Sequence, residues 1–205
     1  MIPGADIFAQ ALGLIQRSND SRKFVLDMLP KCSIGMEIGV HKGDFSQDIL
    51  MIVFPKELHL VDPWKHETSA AYKDAWYGGQ VKNGQVEMDE RYMNVCSKFT
   101  QEVRSGQVSI HRGFSTEILS QFPDEYFDWV YIDGNHYYEY VKRDIELSFR
   151  KTKIGGFITG DDYTDEGWWE GGVKKAVDQF ATHSSVHLVE IRNGQFIIQK
   201  KSSSS

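Results

Sequence analysis

Short apolar runs alternate with amphipathic segments along most of this chain. Five such runs, bounded by polar or turn-forming residues, occupy positions 34–38, 58–61, 108–111, 127–132 and 155–159. Between and after them, apolar residues recur at helical spacing, most clearly in 45–53, 88–104, 137–150 and 173–180. Short apolar runs are typical of buried strands, and their alternation with helices predicts parallel β/α units.

The chain ends on a different pattern. Two β-rich runs, 186–191 and 196–198, flank the dipeptide Asn193-Gly194. Asn-Gly between such runs is a strong hairpin signal, because both residues tolerate the positive φ of a type I′ turn. We therefore predict an α/β fold with a doubly wound, seven-stranded, Rossmann-like sheet, mostly parallel with an antiparallel C-terminal hairpin.

One domain is predicted over residues 1–200, with two added features. The N-terminal segment 1–30 shows apolar residues at helical spacing on both sides of a polar break at 18–21, which predicts a pair of helices that packs on the domain. The connection 63–86 is polar and aromatic and far longer than the ~2–6 residues usual after a strand, so it is interpreted as a lid-like insertion. The alternative is that its aromatic residues pack onto the body of the domain. The serine-rich tail 201–205 is expected to be disordered.

Composition and charge narrow the range of partners. The 205 residues carry a formal net charge of −6 and no long cluster of Lys and Arg, which argues against nucleic acid as a partner. No apolar run approaches the ~18 residues that span a membrane, and no signal peptide is visible, so we expect a cytoplasmic protein without a membrane partner. Cys32 and Cys96 are then reduced thiols. A homo-oligomer is left open.

Acidic residues stand where two predicted strands end. Asp133 follows the run 127–132, and Asp161-Asp162 follows 155–159 after one glycine. Carboxylates beyond the carboxyl ends of parallel strands face the crevice where such sheets bind ligands, and they are ligands for a hard cation. His136, three residues after Asp133, could act as a base. Each residue also has a simpler interpretation: a helix cap, a solvated turn or an exposed histidine.

A second set of residues suggests a nucleoside ligand. The first strand runs into Glu37-x-Gly39-x-x-x-Gly43, which differs from the dinucleotide-binding pattern Gly-x-Gly-x-x-Gly. Glycines at a strand-to-helix turn let a ligand approach the backbone. Asp62 ends the second strand, the position from which this architecture binds ribose hydroxyls.

Together these motifs resemble the class I S-adenosylmethionine-dependent methyltransferases over residues 33–200. Within that class, the chain is similar to the metal-dependent sugar O-methyltransferases of the macrocin and mycinamicin type. The similar segments are Glu37 to Gly43 with Ser46, Val61-Asp62-Pro63-Trp64, Ile132 to His136 with Tyr138, Gly155-Gly156 with Asp161-Asp162-Tyr163, and Gly172-Val173 with Ala176-Val177. Asn135 departs from the family, where this position is often acidic.

The resemblance implies a role for each matching position. The positions implied to bind S-adenosylmethionine are Glu37, Gly39, Gly43, Ser46, Asp62, Ser115 and Asp133. Asp133, Asp161 and Asp162 fall on the positions that hold Mg²⁺ or another hard divalent cation. His136 falls on the general base, and Asp133 is also assigned to catalysis. The reaction implied is methylation of a hydroxyl on a small molecule, most simply on a sugar.

The acceptor is the least determined part of this hypothesis. Aromatic residues in the two glycine-containing loops could contact either a sugar or a planar ring; they are Trp64, Tyr72, Trp76, Tyr163, Trp168 and Trp169. A catechol-type O-methyltransferase and a non-catalytic S-adenosylmethionine-binding protein therefore remain alternatives. A nicotinamide-dependent dehydrogenase is disfavoured, because the dinucleotide glycine triplet is missing.

Overall fold

The computed structural model describes residues 20–75 and 78–202, and within them seven strands form one sheet. The strands are β1 (Ile34–Ile38), β2 (Glu57–Asp62), β3 (Val108–Arg112), β4 (Phe127–Ile132), β5 (Thr152–Gly160), β6 (Val186–Arg192) and β7 (Gln195–Lys200). Their order is β3-β2-β1-β4-β5-β7-β6. Neighbours among β1 to β5 are parallel, and β7 runs antiparallel to both β5 and β6. The predicted mixed α/β sheet is confirmed.

Helices cover both faces of this sheet. They are α1 (Asp20–Met28), α2 (Asp44–Ile52), a 3₁₀ turn (Ala70–Tyr72), α3 (Gln85–Lys98), α4 (Thr100–Ser105), α5 (Ser115–Ser120), α6 (Tyr138–Lys151) and α7 (Gly172–Phe180). Strand β4 shows how the faces are divided. Trp129 and Tyr131 pack in one core cluster with residues of α1, α2 and α3, whereas Val130 and Ile132 pack in a second with α5, α6 and α7. Side chains alternate across a strand, so a strand buried on both faces is apolar throughout.

The strand order reverses between β1 and β4, and this position is where open α/β sheets bind ligands. Ile38 and Ile132 are partners in register at the carboxyl ends of these strands. Backbone hydrogen bonds continue past the strand ends: Asp133 N–H donates to Ile38 O at 2.8 Å, and Asp161 N–H donates to Ile132 O at 3.2 Å. The segments that follow β1, β4 and β5 therefore lie side by side.

Gly39 allows the segment after β1 to touch the segment after β4. Its φ is +92°, and a Cβ atom built on it would lie 1.9 Å from the carbonyl oxygen of Asp133. A side chain at this position would meet both backbone strain and a backbone atom that cannot move aside. The glycine that the sequence predicts in a ligand-binding turn is thus required by close packing.

Two local predictions are corrected. The segment predicted as one helix over 88–104 forms two helices, because Phe99 leaves the helical conformation with ψ near +24°. The fifth strand, predicted over 155–159, begins earlier, at Thr152, so that Gly155-Gly156 lies inside β5. There Gly155 has a φ of +83°, and the pairing of β4 with β5 shifts register between Phe127 and Trp129.

Some predictions concern residues that lie outside the described part. These are the first helix of the N-terminal pair, before residue 20, the substrate candidate Trp76, and positions 203–205 of the tail. The described portion of 63–86 holds a single 3₁₀ turn, and its role as a lid stays a prediction. Among the helices of 20–75 and 78–202, none has the length and apolar character needed to cross a membrane.

Candidate active site

Three acidic side chains and one histidine meet at the strand-order reversal. Asp133 follows β4, and Asp161 and Asp162 follow β5. His136 Nε2 lies 3.4 Å from Asp133 Oδ1 and 3.1 Å from Asp162 Oδ2, and the histidine is only 8% exposed. The close approach of α7 holds this loop: a Cβ on Gly172 would lie 2.5 Å from the carbonyl oxygen of His136.

Asp133, His136 and Asp162 have the composition and spacing of a cation site. One ligand atom from each lies within 4.8 Å of the others. Within residues 20–75 and 78–202, no other three His, Cys, Asp or Glu side chains bring their ligand atoms this close together. Ligands on opposite sides of Mg²⁺ are about 4.2 Å apart, since each bond is about 2.1 Å. Small side-chain adjustments would therefore suffice for Asp133 and Asp162 to share one hard cation, with His136 beside it.

Asp161 lies in the same cluster but has other contacts. Its Oδ1 accepts hydrogen bonds from the backbone N–H of Asp162 at 2.8 Å and from the side-chain amide of Gln195. Its Oδ2 forms an ion pair with Arg22, which also binds Asp133 Oδ2 at 2.9 Å. The assignment of Asp161 as a third metal ligand stays a prediction.

The cluster holds more acidic than basic groups, and the pKa values respond to this. Burial, followed by repulsion from Asp133, raises the pKa of Asp161 to about 6, although Arg22 opposes the change. Burial likewise raises the pKa of Asp162. Burial works to lower the pKa of His136, but the hydrogen bond and charge of Asp133 and the charge of Asp162 outweigh it, so that pKa is raised. The site favours bound positive charge.

The cofactor positions lie along the neighbouring ends of β1 and β2. Glu37 is 1% exposed and accepts a hydrogen bond from the Ser46 hydroxyl at 2.5 Å. Burial raises the pKa of Glu37 to about 8, so a cationic ligand group would favour its ionised form. Asp62 accepts hydrogen bonds from the backbone N–H groups of His41 at 2.9 Å and Trp64 at 2.7 Å. The carboxylate thus holds two loops in place.

A cavity of about 410 Å³ opens beyond the ends of β2 and β3. Pro63, Lys65, Arg112 and Phe114 contribute to its lining. Ser115, predicted near the adenine, starts α5 beside this region, but its hydroxyl donates to the buried carboxylate of Asp144 at 2.5 Å. The lining also includes the acidic side chain of Glu117, so it combines apolar, basic and acidic residues.

The predicted substrate aromatics divide into two groups. Tyr72 and Trp168 form an edge-to-face cluster with Tyr137, with ring centroids 5.2–5.8 Å apart, and Trp169 lies 4.8 Å from the His136 ring. Asn135 donates from its side-chain amide to the Tyr72 hydroxyl at 2.7 Å, which joins this cluster to the acid site.

Trp64 and Tyr163 are placed differently. Trp64 is fully buried, and its indole N–H donates to the carbonyl oxygen of His41 at 2.8 Å. The Tyr163 hydroxyl donates to Asp178 on α7 at 2.6 Å. The structure thus brings the first group to the histidine, while these two side chains are held by the core and by α7.

Arg22 is a residue of this site that belongs to none of the motifs in the sequence. A signal was present, because positions 22, 25, 26 and 29 share one face of a helix. Val25, Leu26 and Leu29 are at most 2% exposed, so an arginine stands on a buried apolar stripe. A charged residue on such a stripe requires a partner, and the partners are Asp133 and Asp161.

Several solved structures share this fold, and some of them are described as methyltransferases. The cofactor-bound protein Rv0187 from MTB superposes with a TM-score of 0.65 at 12% identity, over 99% of this chain and 93% of that one. The O-methyltransferase from Bacillus cereus in complex with SAH gives 0.64 at 14% identity, over 98% and 93%. The O-methyltransferase NovP gives 0.60 at 20% identity, over 92% and 81%. The fold is that of the class I S-adenosylmethionine-dependent methyltransferases.

The sequence leads to the same class. A family model described as a methyltransferase domain, Methyltransf_24, matches residues 36–163. The match spans β1 to the loop after β5 and includes Glu37, Asp62, Asp133, His136 and Asp161-Asp162. The chain belongs to this methyltransferase domain family. Among curated proteins, the sequence has no significant match.

Proposed function

We propose that this protein is an S-adenosylmethionine-dependent O-methyltransferase that uses a divalent cation, most simply Mg²⁺, to methylate a hydroxyl of a small, sugar-containing molecule. The observation that carries the proposal is the convergence of Asp133, His136 and Asp162 beside the edge formed by Glu37 and Asp62. A carboxylate-rich site next to a nucleoside-type site suits hydroxyl methylation, because the nucleophile and the methyl donor are held together.

Each residue of the site would have its own role in the reaction. Asp62 would bind the ribose hydroxyls, and Glu37 would face the cationic end of the cofactor. Asp133 and Asp162 would hold the cation, with Asp161 as a further ligand. When bound, a hard cation lowers the pKa of a hydroxyl and orients it. As the oxygen attacks the methyl carbon and the carbon–sulfur bond breaks, His136 Nε2 would accept the hydroxyl proton.

A catechol-type acceptor is the second candidate, supported by the cluster of Tyr72, Tyr137 and Trp168. These rings meet edge to face near His136, an arrangement that also suits a planar aromatic ring. The cation chemistry is the same for vicinal hydroxyls on either acceptor. What distinguishes the candidates is therefore the shape of the group that the aromatic residues enclose.

The acceptor is tested by following transfer of the labelled methyl group of S-adenosylmethionine to two panels, glycosylated small molecules and catechols. We expect methylation of a sugar hydroxyl, because the carboxylates and His136 can engage the vicinal hydroxyls of a sugar without an aromatic ring in the acceptor. Transfer to catechols alone would favour the second candidate. Cofactor binding without transfer to any acceptor would indicate a binding protein rather than an enzyme.

Asp62→Ala is expected to weaken S-adenosylmethionine binding at least tenfold, or about 1.4 kcal/mol. The substitution removes the predicted ribose ligand and the acceptor of the His41 and Trp64 N–H groups. Calorimetric titration measures the affinity. Glu146→Ala, at an exposed position on α6, is a control for the same charge change. Unchanged affinity in Asp62→Ala would remove Asp62 from the cofactor site.

A further inference from the structure

Arg22 is the basic side chain that α1 inserts into the acid cluster. Its two terminal nitrogens bind different carboxylates, Nη1 to Asp133 and Nη2 to Asp161. The guanidinium carbon also lies 5.2 Å from the centre of the Phe45 ring, and the side chain is 25% exposed. Arg22 therefore bridges the segments that follow β4 and β5.

The position of Arg22 is set by the packing of α1. Val25, Leu26 and Leu29 bury this helix in the core, and Arg22 lies one turn before them on the same face. The packing of α1 thus fixes the backbone of Arg22 next to the carboxylates. The side chain alone can leave them by changing its conformation, while the apolar stripe of α1 stays packed.

The cation proposed above would need some of the same oxygen atoms. Asp133 directs one oxygen to His136 and the other to Arg22, and Asp161 Oδ2 is likewise bound to Arg22. A metal ion bound by all three aspartates would compete for these oxygens, and its two positive charges would repel the guanidinium at short range. Simultaneous binding of the Arg22 guanidinium and a metal ion to these carboxylates is therefore unfavourable.

We propose that Arg22 and a divalent cation are alternative occupants of the acid cluster, so that α1 sets the metal affinity of the site. The inference rests on the proposed function for the presence of a metal, but it concerns binding and requires neither cofactor nor acceptor. With Arg22 in place, Asp133 and Asp161 are neutralised in part by the chain itself. With Arg22 displaced, all three aspartates are available to the metal.

The test is calorimetric titration of Mn²⁺ into this 205-residue chain without cofactor or acceptor. Arg22→Ala is expected to bind Mn²⁺ at least about tenfold more tightly than the unmodified protein, because the competing cation is gone. Arg22→Gln provides a second, polar variant. Lys23→Ala, which removes the same charge from the adjacent exposed position on α1, is expected to leave the affinity unchanged.

A second measurement on the unmodified protein avoids any effect on folding. The nitrogen NMR signal of the Arg22 Nε–H group, assigned by its loss in Arg22→Lys, is expected to shift as Mg²⁺ is added. Equal or weaker Mn²⁺ binding in both Arg22 variants, or an Arg22 signal unchanged at saturating Mg²⁺, would overturn the inference. An absence of methyl transfer would contradict the proposed function alone, since neither measurement involves transfer.

Discussion

Replacing His136 with alanine is expected to lower the turnover number by roughly 10²–10⁴-fold, the usual contribution of a general base. His136 Nε2 faces Asp133 and Asp162, so it is placed to take a proton from a hydroxyl that these residues position. The adjacent carboxylates would then stabilise the imidazolium that forms. Binding of S-adenosylmethionine is expected to persist, because Glu37 and Asp62, the residues predicted to face the cationic end and the ribose of the cofactor, lie on β1 and β2.

Two further variants separate chemistry from packing at this position. The His136 ring is buried against Trp169, so alanine leaves space in a packed region. His136→Gln preserves much of the volume and polarity but cannot accept a proton at neutral pH, and we expect a similar loss of turnover. His187→Ala, at an exposed position on β6, should behave like the unmodified enzyme. A near-normal rate in His136→Ala would assign proton removal to an aspartate or to solvent.

Removal of divalent cations is expected to abolish methyl transfer, and addition of Mg²⁺ is expected to restore it. The physical reason is the density of negative charge at the ends of β4 and β5, where three carboxylates meet one buried histidine and one arginine. An aliphatic hydroxyl is a weak nucleophile at neutral pH, and activation by a cation compensates for this. The initial rate of transfer in excess EDTA measures the effect.

The matched control is EDTA already saturated with Mg²⁺, which should leave the rate unchanged. Asp162→Asn is expected to raise the Mg²⁺ concentration needed for half-maximal rate, because it removes the charge of one ligand while keeping the volume of the side chain. Full activity in excess EDTA would remove the metal from the mechanism. In that case Arg22, which already bridges Asp133 and Asp161, would be the cation that serves the site.

The fold was predictable because its signals are local. Each apolar run between polar segments forms a strand, and Asn193-Gly194 forms the hairpin turn with φ values of +53° and +77°. Buried strands and positive-φ turns limit which residues can occupy them, so they leave a pattern in the sequence. The break at Phe99 and the irregularity at Gly155 left weaker patterns. Apolar residues continue past Phe99, and a pair of glycines does not distinguish the start of a strand from a position inside it.

The candidate site was predictable where its residues follow strand ends. Asp62, Asp133 and Asp161 end or follow β2, β4 and β5, so the topology alone brings them to one edge of the sheet. The aromatic residues have no such relation to the strands. Trp64 is buried and Trp168 stands beside Tyr72, although both lie in aromatic, loop-like sequence. Which of them reaches the site depends on packing between distant segments.

The sequence by itself determined the sheet, the edge that carries the acids, and the family to which the chain belongs. These features follow from the periodicity of apolar residues and from short motifs at strand ends. Only the tertiary structure decided how the charges pair. Arg22 meets Asp133 and Asp161 across more than a hundred positions of chain because α1 packs on the sheet through Val25, Leu26 and Leu29. An ion pair of this kind leaves no local pattern, because its partners are neighbours only after the core has formed.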